Sequence, residues 1–179
     1  MKFLSLLFIL TLSIPSFAQE FSFDTDDDGM AYYSDVVPVS GANSATLYKR
    51  SIEWIHKYYA NPTGVIQTND SAGMLVEGKA RFRLNTYDKK GNVMAGGGFV
   101  AYQLAMHFKD GKYKYEIKRI RWEQASYYDV TKWNDTNQVD YNKELHDFYI
   151  KQTVEYIEKT LDDMIEYMAK GAEVKSNEW

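Results

Sequence analysis

The chain reads as an α+β domain: a curved five-stranded antiparallel sheet with two helices packed on one face, in the order β-α-β-β-β-β-α. Three observations predict it. Two stretches, residues 45–59 and 141–169, repeat apolar side chains at three- and four-residue steps, the period of a helix with one buried stripe. Between them apolar and polar residues alternate, as in strands buried on one face only. Tight-turn residues join these runs, above all Asp110-Gly111, a pair that adopts the positive φ angles of a two-residue hairpin loop. Successive hairpins favour an antiparallel sheet, and two amphipathic helices can cover one of its faces, leaving the other wet.

Residues 32–39 (YYSDVVPV) form the first strand, with Pro38 at its end or on an edge because proline has no amide to donate. The turn GANS follows, and Ser44 is placed to cap the first helix. Its buried stripe is Leu47, Tyr48, Ser51, Ile52, Trp54, Ile55, Tyr58 and Tyr59, and Asn61-Pro62 ends it. Residues 65–68 make a short strand and 69–73 a turn. In the next strand Met74, Val76, Ala80, Phe82 and Leu84 face one way, while Glu77, Lys79, Arg81 and Arg83 face the other. A flexible loop, YDKKGNVMAGGG, separates it from a strand carrying Val100, Tyr102, Leu104, Met106 and Phe108 on one side. After Asp110-Gly111 the returning strand presents Tyr113, Tyr115 and Ile117, then changes phase to Ile120 and Trp122, which predicts a bulge near Arg119. Residues 123–140 lack a period and form a long connection. The second helix, with Ile150, Val154, Ile157, Leu161, Met164 and Met168 along one stripe, is expected to end at Gly171.

The N-terminus, MKFLSLLFILTLSIPSFAQE, has one Lys before an apolar run too short to span a bilayer, then small residues at Ser16 and Ala18. This is the pattern of a secretory signal over residues 1–18, followed by an acidic leader at 19–31, a single domain at 32–170 and a tail at 171–179. No Cys stands near the cleavage point, so a lipid anchor is not expected, and no later segment is apolar enough to span a membrane. The mature protein is therefore expected to be soluble and exported, periplasmic or extracellular. With no Cys at all it forms no disulfides, so its stability rests on a packed core. Loss of Lys2 with the signal takes the formal charge from −4 to −5, which argues against nucleic acid as a partner.

Several residues carry a resemblance. Leu47-Tyr48 with Trp54, Val65-Ile66-Gln67 before the turn to Gly73, Gly78, and Lys112-Tyr113 through Ile117 resemble the secreted Bacteroidetes family called domain of unknown function 4468. The likeness covers residues 33–120 and the last helix. It implies a TATA-binding-protein-like (TBP-like) fold and no activity. The acidic run before the first strand and the loop at 127–133 depart from the family pattern.

Residues 24–35 (DTDDDGMAYYSD) space acidic side chains like a calcium loop, but Asp35 stands where a longer Glu normally chelates, and no helix flanks the run on either side. It reads as a solvated acidic leader. Glu53-x-x-His56 has a di-iron spacing but occurs once, and Trp54 and Ile55 take the inward positions. Gly96-Gly97-Gly98 lacks the lysine of a phosphate loop and reads as slack in a hairpin. No cofactor, metal or catalytic motif is recognised. The pattern that points to binding lies on the uncovered sheet face. Lys79, Arg81 and Arg83 share one strand, Gln103 and His107 the next, and Lys112, Lys114 and Lys118 the third, against Glu77 and Glu116. Such segregation suits an anionic glycan or an envelope protein, and Arg81 and Arg83 are the strongest candidates because guanidinium groups grip oxyanions at two points. A second candidate surface is the aromatic loop of Tyr127, Tyr128 and Trp133. The expected function is thus a non-catalytic binding or structural module. The rival reading is a hydrolase that uses loop carboxylates such as Asp129, Asp135 or Asp140.

Overall fold

The computed structural model describes residues 21–123, 127–139 and 141–170, with Tyr127 as backbone alone. The signal segment, Asp140, Gly171 and the C-terminal tail lie outside the described residues. β1 (Tyr33–Pro38) leads to α1 (Ser44–Tyr58), a single-turn α2 (Pro62–Val65) and β2 (Ile66–Asp70). The long hairpin strands β3 (Leu75–Tyr87), β4 (Val93–Lys109) and β5 (Lys112–Glu123) follow. A short β6 (Tyr127–Asp129), a 3-10 helix (Val130–Asn134) and α3 (Lys143–Ala169) complete the chain. The sheet is antiparallel throughout, in the order β1-β5-β4-β3-β2, and β6 pairs with β5 off that path.

The alternation read from the sequence sets the two faces. Val76, Phe82, Leu84, Val100, Tyr102, Leu104, Met106, Tyr113, Ile117 and Ile120 are buried beneath α1 and α3. The helices contribute Leu47, Trp54 and Ile55 from α1, and Ile150, Val154, Ile157, Leu161, Met164 and Met168 from α3. Each large side chain buried this way contributes about 1.5–3 kcal/mol. The helices are also tied to each other: Trp54 Nε1 donates to Asp163 Oδ1 at 2.7 Å, and Arg50 donates to the Met168 carbonyl at 3.0 Å. Among the described residues no helix is long and apolar enough to cross a membrane.

Local chemistry moved several boundaries. Asn43, not Ser44, caps α1 by accepting the Thr46 N–H at 2.8 Å, because Asp110 of the hairpin reaches across and takes the Ser44 N–H at 2.8 Å. Those Ser44 contacts hold the Asp110 carboxyl below its usual range. Pro62, pre-set for a first helical position, starts α2 with Asn61 as its cap, so β2 begins one residue later than the alternation suggests. The expected flexible loop at 87–98 is mostly strand. Asp88 closes a short turn by accepting the N–H groups of Lys90 and Asn92 at 2.7 and 2.9 Å, and the three glycines sit in a bulge of β4. The predicted bulge in β5 is present, with Arg119 at φ 53° and a register shift opposite it.

Residues 21–31 are more than a solvated leader. Asp26 accepts the N–H groups of Asp28 and Met30, turning the chain so that Thr25 and Ala31 pair. That turn runs straight into β1, which contains Asp35, so the run does not form a helix–loop–helix. Phe23 is buried against Trp133, with ring centroids 6.3 Å apart, and Lys151 lies 5.6 Å over the Phe21 ring.

Candidate functional site on the open sheet face

Cross-strand register decides which side chains share the open face. Lys79 stands opposite Gln103, Arg81 opposite Ala101 and Arg83 opposite Phe99. On the next strand Gln103 faces Lys118, Ala105 faces Glu116, His107 faces Lys114, and Lys109 faces Lys112. Beyond the bulge Ala101 faces Arg121 and Phe99 faces Glu123. The sheet therefore brings together all the candidates expected there: Lys79, Arg81, Arg83, His107, Lys114 and Lys118. Neither α1 nor α3 packs on this side, since the sheet residues they bury belong to the opposite face.

The cations fall into two groups. Arg81 and Arg83 both lie over the Phe99 ring, at 4.6 and 5.1 Å, and Arg81 also meets Glu123 at 3.4 Å. Its side chain remains 62% exposed, so a ligand can reach the guanidinium in competition with Glu123. Lys114 and Lys118 instead converge on Glu116, at 2.5 and 3.5 Å. Glu116 also accepts from the Tyr32 hydroxyl at 3.0 Å. The Lys114 hydrogen bond, opposed by burial and helped by Tyr32, pushes the Glu116 carboxyl down to about 2.

Several depressions lie along this surface, two of them larger than those beside Lys118 and Arg83. One, of about 480 Å³, lies where the face meets the outer edge of β3, and its lining includes Tyr59, Asn61, Val65, Lys79, Arg81 and Glu123. The other, of about 430 Å³, is lined by Val36, His107, Lys109, Lys112, Tyr113 and Lys114. Like charges placed directly across strands, as at Lys109 and Lys112, repel one another, and an anion between them relieves that repulsion.

Sequence reasoning missed Phe99, Lys109, Arg121 and Glu123. Continuing the alternation of β4 back past Ala101 reaches Phe99, and carrying the β5 phase through the bulge reaches Arg121 and Glu123. The proposed aromatic loop needs correction. Trp133 is fully buried, with its ring 5.8 Å from Trp122 and 5.6 Å from Tyr149. The 3-10 helix turns it inward to close one end of the core, so it offers no surface to a ligand. Tyr128 packs edge-on against Trp122 and is half-buried, and the Tyr127 side chain lies outside the described residues. Two of the loop carboxylates are placed: Asp129 is buried and accepts through Oδ1 from Thr131 N–H, Thr131 Oγ1 and the distant Ala31 N–H, its Oδ2 finding no hydrogen-bond partner among the described residues, while Asp135 accepts from Asn137 N–H. Glu53 and His56 are both exposed, as the inward Trp54 and Ile55 require.

A family model described as a domain of unknown function (DUF4468) with TBP-like fold matches residues 33–123. Among solved structures, a DUF4468 family protein from Bacteroides ovatus is similar at a TM-score of 0.62 and 15% identity, over 84% of this chain and 91% of that one. A TBP-like protein from Parabacteroides distasonis is similar at a TM-score of 0.64 and 14% identity, over 80% of this chain and 95% of that one. At these identities the likeness speaks to fold alone. No curated protein matches the chain significantly.

Proposed function

The chain belongs to the family described as a domain of unknown function (DUF4468) with TBP-like fold, and we propose that this member is an exported, non-catalytic binding module of the cell envelope. Its open sheet face holds an anionic partner, a polyanionic glycan or an acidic protein surface. The observation that carries the reading is the in-register cationic array: Lys79, Arg81, Arg83, Lys112, Lys114, Lys118 and Arg121 outnumber Glu77, Glu116 and Glu123 on a face that neither long helix covers. In a chain of net charge −4 this concentrates positive potential on one side and orients an approaching anion. The exported part of the reading is supported by the signal pattern of residues 1–18.

Retention of the mature protein on immobilised heparin at low salt tests the surface. The double substitution Arg81→Glu, Arg83→Glu is expected to move the protein into the flow-through. A charge-matched control on α1, Lys49→Glu with Lys57→Glu, should leave retention in place, because those exposed lysines sit on the helical side. Equal loss in both variants means net charge alone drives retention, and unchanged retention of the Arg81/Arg83 variant removes the proposal.

A further inference from the structure

The two outer edges of the sheet are finished differently. Along the outer edge of β5, β1 covers residues 112–117 and β6 covers 121–123, so among the described residues the bulge between them is the part of that edge left without a partner strand. Along β3, β2 pairs no further than Gly78, because α2 carries the chain away at Val65. The next partner on that edge is not a strand. Gln152 of α3 accepts the Asn85 N–H at 2.9 Å and donates to the Asn85 carbonyl at 3.2 Å, satisfying both groups much as a neighbouring strand's peptide would. Residues 79–84 lie between these two seals, with the 480 Å³ depression beside them.

The direction of the open backbone groups follows from that clamp. Asn85 gives both its polar groups to Gln152, and at the other end of the strand the Phe108 N–H of β4 donates to the Met74 carbonyl at 3.1 Å. Successive residues of an antiparallel ladder point alternately to the two sides, so even-numbered positions face β4 and odd-numbered ones face outward. Burial alternates without a break along this part of β3: Phe82 and Leu84 are buried, Arg81, Arg83 and Asn85 exposed. The phase therefore carries back, and the N–H and C=O groups of Arg83, Arg81 and Lys79 point outward along the free edge. The side chains of those same three residues are the cations of the open face. An added strand would find main-chain partners and positive charge at the same alternate positions.

We propose that residues 79–84 of β3 accept an extended acidic peptide as an added strand, its carboxylates meeting Lys79, Arg81 and Arg83 and its opposite side seated toward Tyr59 and Val65. The proposal rests on the reading above in that the same cations supply the charge, and it names the partner: a protein segment with acidic residues at every second position. Glu123 already holds Arg81 at 3.4 Å and competes with the incoming carboxylate.

The probe is a synthetic peptide of alternating glutamate and valine, titrated into the mature protein with amide exchange followed by NMR. The expected result is slowed exchange at Lys79, Arg81 and Arg83. The same peptide N-methylated at every second residue, made in both frames, should bind about tenfold or more weakly in the frame whose amides face β3 and be nearly unaffected in the other. Glu123→Gln should tighten binding by releasing Arg81. Parent-like binding in both methylated frames, protection elsewhere on the molecule, or no binding overturns strand addition, the last meaning that the edge cations repel partner strands. Heparin retention separates the two ideas: retention without edge protection leaves the polyanion surface standing, and edge protection without retention leaves only the strand site.

Discussion

Glu116 shows how much one side chain decides on the open face. It holds Lys114 and Lys118 and accepts from Tyr32, so two of the cations that alternation placed there are already partly neutralised. Its carboxyl titrates near 2, below the ordinary 4.5, with the Lys114 hydrogen bond as the first cause. A depressed carboxyl contributes stability that is complete above its unfolded pKa and disappears as pH falls through the folded one. Glu116→Gln is therefore expected to cost up to about 1 kcal/mol near neutral pH, the usual ceiling for a pair open to solvent. The gap between the two proteins should close as pH falls from about 4.5 to about 2. Urea titrations at several pH values check this. The same substitution frees both lysines, so heparin retention should increase.

Among the elements, β4 is the one whose behaviour departs most from its local sequence. Three successive glycines suggest slack, yet they form a tight bulge inside a strand of 17 residues. Gly97 is buried, and its carbonyl accepts from Trp122 Nε1 at 2.7 Å. A Cβ there would stand 2.7 Å from the Asn85 carbonyl oxygen, 2.8 Å from Leu84 Cβ and 2.9 Å from Tyr149. Two of those neighbours are backbone or backbone-anchored and cannot swing aside. Gly97→Ala is expected to destabilise by roughly 1–3 kcal/mol, in the manner of an overpacked core. A lower denaturation midpoint at unchanged slope would confirm it. An alanine that leaves the midpoint unaltered would mean that the bulge yields.

At the scale of the whole molecule, residues far apart in the chain close the end of the core that the helices leave open. Phe23, Trp122, Trp133 and Tyr149 come from the N-terminal turn, β5, the 3-10 helix and α3, and their rings meet at Trp133. Ala31 adds a link by donating its N–H to the Asp129 carboxylate, so the acidic turn and the end of β6 are fastened together. Trp133→Ala should remove about 3–5 kcal/mol, as deletions of a buried indole do, measured by thermal unfolding. Because Trp133 presents no surface, the variant should keep full heparin retention at temperatures where it remains folded. Loss of retention in the folded variant would return the aromatic segment to the binding site.

The periods in the sequence were enough to read the order of the main elements, though not α2, β6 or the 3-10 helix, together with the inward residues of α1, β3, β4 and α3 and the bulge at Arg119, because burial on one side of a helix or strand imposes a local repeat. That same repeat placed Lys79, Arg81 and Arg83 on the outward face. Pairing across the sheet decided the rest. The meeting of Arg81 with Glu123, the capture of two lysines by Glu116, the inward turn of Trp133 and the stretch of β3 left open between Gly78 and Gln152 each join residues distant in the chain. A period along one strand carries no information about the register of its neighbour, so these became visible only once the strands were laid side by side.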